Sequence, residues 1–320
     1  MKIRPTLRTA ALCVFAAAAL ALTAACGGSD PLESGSDSSG GGDKGKVVLS
    51  GQDFTEMQIM AAMYEQLLTD AGYTVEKKLV STRPIYMKQL SSGAVDVVPE
   101  YLSGIGDYLN IQQNGAKADP VTSHSADETL QAVKPLAKNA GIALLKPAKA
   151  TDQNAYAVTE EFAESKNVST LSEFGKLDMK VKLAAAKDCK DRRDCAKGLK
   201  SVYGINIADV VPLGFGSPQG KAALKEGEVQ LAQVATTDGA LEAEGLVLLE
   251  DDKGLQPAQN LVPAVNADFL SKHPDIADIL NPLSATLTTE DLGKLNVKVG
   301  QDREKPEDVA KEYLQDQGLL

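Results

Sequence analysis

Short runs of β-branched and apolar residues alternate along this chain with longer stretches whose apolar positions recur every three or four residues. Lys46–Ser50 (KVVLS) opens the pattern as a strand of the kind buried in a parallel sheet. Met57–Ala71 follows as a helix, with Asp53 and Glu56 spaced like a capping box at its start. Residues 75–80 (VEKKLV) read as a second strand and Ile85–Ser91 as a helix that stops at Gly93. Ala94–Val98 (AVDVV) is a third strand, closed by Pro99-Glu100-Tyr101. This alternation predicts an α/β lobe on a parallel sheet.

The pattern restarts near residue 150. Asn154–Val158, Lys180–Ala184, Val210–Leu213 and Val229–Ala235 read as strands, with helices at Gly198–Tyr203 and Pro218–Lys225. Asn260–Val265 is another strand, followed by helical stretches at Ala267–His273, Ile276–Leu280, Thr289–Leu295 and Lys305–Gln317. The last begins with a proline and two acids, which suits a first helical turn. A body running from Val47 to Leu320 exceeds a typical domain of about 100–150 residues, so two lobes are expected. In such folds ligands sit at the carboxyl ends of strands, and with two lobes that place is the cleft between them. Gln52, Pro99-Glu100-Tyr101 and the loop Thr236-Thr237-Asp238 are the residues this rule singles out. Gly214-Phe215-Gly216-Ser217 has the spacing of neither phosphate-binding glycine motif.

The start of the chain obeys different rules. Lys2, Arg4 and Arg8 precede the apolar run Ala10–Leu22, which ends in Thr23-Ala24-Ala25-Cys26. That is a secretory signal over residues 1–25, too short to span a bilayer core of about 20 residues. Cys26 after small residues resembles a bacterial lipobox with Thr23 in place of the usual leucine, which implies cleavage before Cys26 and its lipidation. Gly27–Lys46 has 12 Gly or Ser among 20 residues and cannot bury a core. As a flexible coil it spans on the order of 25 Å, a tether between membrane and body. The expected organisation is thus signal 1–25, lipidated cysteine and linker 26–46, lobe 1 from 47–150 plus 259–320, and lobe 2 from 151–258.

Losing Lys2, Arg4 and Arg8 with the signal takes the net charge from −11 to −14. A surface this acidic argues against nucleic acid, whose phosphates need a basic footprint. After processing, Cys189 and Cys195 are the remaining thiols. An oxidising compartment favours a disulfide between them; the alternative, zinc, lacks partners, since His124 and His273 are remote in sequence. The same scarcity of histidine weakens hydrolase readings, and no metal or cofactor is expected.

Several segments together resemble one family. SGQDFTEMQIM (50–60) is similar to the opening GS-(Q/K)-N-F-T-E-Q run of osmoprotectant-binding lipoproteins that feed ABC importers, and SGAVDVVPEYLSG (92–104) to their S-G-x-I-D-x-x-P-E-Y-T-G. Asn154-Ala155-Tyr156-Ala157-Val158 and Arg192-Arg193-Asp194 with Gly198-Leu199 resemble two second-lobe motifs. Thr236-Thr237-Asp238-Gly239, Leu249–Gly254 and Asn260–Pro263 resemble its S-T-D-G, L-x-D-D-K and N-x-x-P. The resemblance implies an α/β, bilobal periplasmic-binding-protein fold of the two-crossing type, with the cleft between two mixed-sheet lobes. It implies a monomer that catalyses nothing, captures a quaternary ammonium compound such as glycine betaine, choline, carnitine or proline betaine, and delivers it to a membrane permease. Another small zwitterion, such as an amino acid, is the alternative ligand.

A quaternary ammonium cannot hydrogen-bond, so aromatic faces must hold it, and a carboxylate needs Arg or N–H donors. The chain has no Trp, so a cage would be mostly tyrosine. Tyr101 and Tyr156 match the family tyrosines, with packing between helix and sheet and half-buried strand core as their respective alternatives, and Tyr86 starts a helix that can face the same cleft or the surface. Arg192, inside the Cys189–Cys195 loop, is the expected carboxylate clamp. Gln52 reads either as a carboxylate donor or as a loop cap, and Thr237 either as a donor or as a plain turn residue. Val234-Ala235 stand where the family often has an aromatic residue, and Phe215 is the candidate to supply that wall.

Overall fold

The computed structural model describes residues 44–320; the expected signal, Cys26 and the expected linker as far as residue 43 lie outside the described residues. Strand β1 (Lys46–Gln52) leads into helix α1 (Thr55–Asp70), strand β2 (Thr74–Val80) and helix α2 (Arg83–Ser92). Strand β3 (Val97–Tyr101) passes directly into helix α3 (Leu102–Asn114), followed by α4 (Ala126–Asn139) and the short β4 (Ile142–Leu144). The chain then crosses to a second set: β5 (Asn154–Thr159), α5 (Glu160–Lys166), α6 (Leu171–Lys176), β6 (Lys180–Ala184), α7 (Ala196–Tyr203), β7 (Asn206–Val211), α8 (Pro218–Lys225), β8 (Leu231–Ala235) and β9 (Leu246–Leu249). It returns as β10 (Leu261–Asn266) and ends in α9 (Ala267–Lys272), α10 (Asp275–Thr286), α11 (Thr289–Gly300) and α12 (Pro306–Asp316).

Two five-stranded sheets result, in the orders β2-β1-β3-β10-β4 and β7-β6-β8-β5-β9. In the first, β1 is parallel to β2 and β3, while β10 is antiparallel to β3 and β4. The second repeats the arrangement, with β6 parallel to β7 and β8, and β5 antiparallel to β8 and β9. Both sheets are therefore mixed. The βαβ units make the parallel pairs, and the strand that enters each sheet from the other lobe makes the antiparallel ones. The fold is α/β and bilobal. The two crossings lie side by side, paired by an antiparallel bridge between Thr151 and Asn260.

Eight of the ten strands form where the apolar runs predicted them, with shifted edges; the short β4 and β9 were not expected. The third strand starts later than expected and runs through Pro99. Pro99 lies opposite Pro263 of β10. An antiparallel ladder accepts two facing prolines only at a position where the pair exchanges no hydrogen bond, so neither missing N–H breaks the sheet. The capping box expected at Asp53 is absent: Phe54 is the N-cap, with no side-chain cap bond, and Glu56 turns inward instead. Helix α3 carried no start signal, because Tyr101 caps it without a side-chain bond and Gly104 and Gly106 weaken its propensity. Gly106 is there for contact: a Cβ would come within 2.4 Å of Val133 on α4.

Four apolar clusters fill the body. The largest packs α1 and the C-terminal helices α10–α12 on one face of the first sheet, with Tyr64, Met60 and Leu68 at its centre. A second lies on the other face, under α2, α3 and α4. The second sheet is likewise covered on both sides, and the Cys189–Cys195 disulfide is fully buried in one of these layers.

Candidate functional site

A cavity of about 300 Å³ opens where the two crossings meet the strand ends. Arg83 of α2, Tyr101 at the end of β3 and Gly104 of α3 line it from the first sheet. Asp152, Gln153 and Asn154 come from the first crossing and the start of β5; Gln256, Pro257 and Gln259 come from the second crossing. Arg192 and Asp194, from the loop closed by the disulfide, and Phe215 complete the wall.

The lining is stiffened by its own hydrogen bonds. The amide of Gln153 donates to the Pro257 carbonyl at 2.8 Å, and Gln259 accepts from the Gly104 N–H at 3.0 Å. The Asn154 amide donates to Asp194 at 3.0 Å and to Gln256 at 3.3 Å, and Gln256 donates to the Asp194 carbonyl at 2.9 Å. These bonds tie the crossings to the disulfide loop.

Both arginines arrive already paired. Arg83 forks onto Glu100, donating from Nε at 2.8 Å and from Nη2 at 3.2 Å. Glu100 is 1% exposed and also accepts from the Tyr86 hydroxyl and from the Tyr101 N–H at 2.9 Å. Burial pulls the Arg83 pKa down, but the Glu100 carboxylate outweighs it and holds the guanidinium more firmly charged. Arg192 forks in the same way onto Asp194, with Nε at 2.9 Å and Nη2 on the other oxygen.

Beside these pairs lies a pair of acids. Glu56 is buried, accepting from the Tyr101 hydroxyl and, at 2.7 Å, from the Asn296 amide of α11. Asp152 accepts from the Thr237 hydroxyl at 3.0 Å. Burial raises the Glu56 pKa against the hydrogen bonds that lower it. Burial, then the neighbouring Glu56 charge, push Asp152 up to about 7.

The residues expected at the site divide accordingly. Tyr101 and Arg192 line the cavity, and so does Phe215, the candidate for the missing wall. Tyr86 and Tyr156 do not: each is 1% exposed, with the ring in an apolar cluster. Their hydroxyls reach Glu100 and, at 3.0 Å, the Asp194 carbonyl, so they brace lining residues from behind. Gln52 is half-buried at the end of β1, paired with Val80, and is not in the lining. Thr237 is buried behind Asp152. Of the three tyrosines expected to cage a ligand, Tyr101 alone is in the lining. The residues it missed, Arg83, Asp152 and Gln256 among them, lie on a helix start and on the crossings, and their convergence is purely tertiary. Cys189 and Cys195 are bonded.

Known proteins share this architecture. A glycine-betaine-binding protein of Pseudomonas aeruginosa is 29% identical over 286 residues, covering 85% of this chain and 88% of the relative. A carnitine transport binding protein of Listeria monocytogenes is 26% identical over 281 residues, 86% of this chain and 88% of the relative. The solved apo form of YehZ from Escherichia coli, 24% identical, shares the fold with a TM-score of 0.73 over 86% of this chain and 99% of its own. Residues 45–316, which hold both sheets and the cavity between them, match a single family throughout, and the chain belongs to it: the substrate-binding domain of ABC-type glycine betaine transport systems.

Proposed function

We propose that this protein is the extracytoplasmic receptor of an ABC importer, capturing a small quaternary ammonium osmoprotectant and delivering it to a membrane permease, with no reaction catalysed. The observation that carries this reading is the cavity itself. It is lined from both sheets and both crossings, so a ligand seated there is held by both lobes at once. Tyr101 and Phe215 offer aromatic faces to a cation, each worth about 0.5–2 kcal/mol depending on desolvation. Arg192 is the donor for a ligand carboxylate, which would have to compete with Asp194 for it. Relatives named for glycine betaine and for carnitine support the ligand class. Tyr86, Tyr156 and Thr237 act, in this reading, by holding the lining rather than by touching the ligand, and Gln52 takes no part in it. The lobes divide as 47–150 plus 259–320 and 151–258, working as a monomer tethered by lipidated Cys26. The order of basic, apolar, small-residue and Gly/Ser segments supports that tether.

Thermal unfolding tests the ligand class. A ligand at 100 times its Kd adds about 2.7 kcal/mol, a rise of roughly 5–10 °C for a body of this size. A panel of glycine betaine, proline betaine, carnitine, choline, ectoine and amino acids should show that rise with quaternary ammonium compounds. A rise with amino acids only, or with none of the panel, would refute the reading. For the tether, labelled fatty acid should enter the wild-type protein in the bacterial host and not Cys26→Ser; equal labelling refutes it.

A further inference from the structure

We propose that Asp152 is the counter-charge for the ligand's cationic head, and that the site selects a quaternary ammonium with a neutral tail over a zwitterion. This rests on the cavity being the ligand site, as proposed above. Asp152 lines the cavity, and its side-chain partner is a neutral hydroxyl, that of Thr237 at 3.0 Å. Among the described residues no cation pairs with it. Its charged neighbour is a second acid, Glu56, which is held by the Tyr101 hydroxyl and the Asn296 amide. Both arginines that reach the cavity are taken up, Arg83 by Glu100 and Arg192 by Asp194. The two ion pairs cancel, so Asp152, once ionised, leaves the cavity with an excess of negative charge, with Glu56 buried behind the lining.

The geometry also puts that excess where a cation would sit. Tyr101 lines the cavity and its hydroxyl ends on Glu56, so the aromatic face and the two acids adjoin. A ligand with a neutral tail gains from both and disturbs neither arginine. A zwitterion brings a carboxylate, which must either displace Asp194 from Arg192 or lie near Asp152 and Glu56. Like charges in a partly desolvated site are costly, and breaking a formed fork leaves Asp194 unpaired. Selection against the zwitterion comes from the repulsive partner as much as from the attractive one.

Proton linkage gives a second handle that needs no variant. Asp152 holds its proton up to about pH 7, with Glu56 also raised, and a bound cation favours the charged form. The other titratable groups facing it are Tyr101, whose hydroxyl burial keeps neutral, and the two closed arginine–carboxylate pairs. Cation binding should therefore tighten as pH rises through 7.

Calorimetric titration of the mature protein with choline and with glycine betaine tests this, because neither ligand titrates between pH 5.5 and 8. At pH 8 choline should bind at least tenfold tighter than glycine betaine. In Asp152→Asn the ratio should fall toward one, through weaker choline binding. In the wild type, choline should weaken severalfold from pH 8 to pH 5.5, a readout independent of how the variant folds. Both ligands binding with a ratio that Asp152→Asn leaves unchanged, and with choline indifferent to pH, would overturn the counter-charge while leaving the receptor reading intact. If neither ligand binds the wild type, the inference is overturned, and the wider ligand panel decides separately whether the receptor reading stands.

Discussion

Replacing Glu100 by alanine is the sharpest test of what holds the cavity wall in place. The carboxylate is 1% exposed and accepts from four donors: two on Arg83, the Tyr86 hydroxyl and the Tyr101 N–H. Alanine removes every acceptor at once. The Tyr86 hydroxyl sits on a side chain that is 1% exposed and has no route to water, which costs roughly 1–3 kcal/mol. Arg83 has a side chain 24% exposed, so it recovers part of its hydration, but a broken buried pair still costs about 3–5 kcal/mol in total. For a chain of this size, each kcal/mol lowers Tm by roughly 2–4 °C, so Glu100→Ala should melt about 6–20 °C below the wild type. Glu100→Gln keeps an acceptor for the Tyr101 N–H and should recover about half of that loss. Differential scanning calorimetry of the three proteins at pH 7 decides it. A Glu100→Ala protein melting within 2 °C of the wild type would mean that the pair and its two tyrosine contacts contribute nothing net, and the account of the wall would be wrong.

Three further outcomes follow from the same reasoning. The disulfide closes a loop of sequence separation 6, so Cys189→Ser/Cys195→Ser should lose about 2–3 kcal/mol by loop entropy and loosen the segment carrying Arg192 and Asp194; unchanged thermal stability and unchanged amide exchange in residues 189–195 would contradict this. A Cβ on Gly239 would stand 2.3 Å from the Gly293 carbonyl oxygen on α11, so Gly239→Ala should cost about 1–3 kcal/mol, and a melting temperature equal to wild type would show that the approach is not tight. The folded protein keeps the Asp152 proton to about pH 7 against an ordinary 3.8, so it binds more protons than the unfolded chain between those values, and this group's contribution to stability falls as pH rises through the window. The melting temperature of Asp152→Asn relative to wild type should therefore grow from pH 5 to pH 8, and a difference that stays flat or shrinks would refute the assignment.

Most strand positions were legible because β-branched runs such as KVVLS and AVDVV must be buried on both faces of a sheet, and composition alone reports that, whereas β4 and β9, three and four residues long, gave no such run. Helices α3 and α5 left little trace, since one contains two glycines and the other is seven residues long, with no buried residue. The order of motifs pointed to the family, and Tyr101 and Arg192 did reach the cavity. Tyr86 and Tyr156 show where such reading stops. A tyrosine within a strand or at a helix start can face a cleft or turn its ring into the core, and which it does depends on the acceptor its hydroxyl finds, here Glu100 and the Asp194 carbonyl.

By itself, the sequence determined the α/β class and pointed to the cysteine pair, because periodicity, composition and short spacings are local properties. Tertiary structure alone decided the charge of the site. Arg83 and Glu100 are 17 apart in sequence, whereas Glu56 meets Asn296 across 240 residues and Thr237 meets Asp152 across 85. Whether an arginine is free to take a ligand or already spent on a neighbour, and whether an acid meets a cation or another acid, is settled by distances that no spacing along the chain encodes.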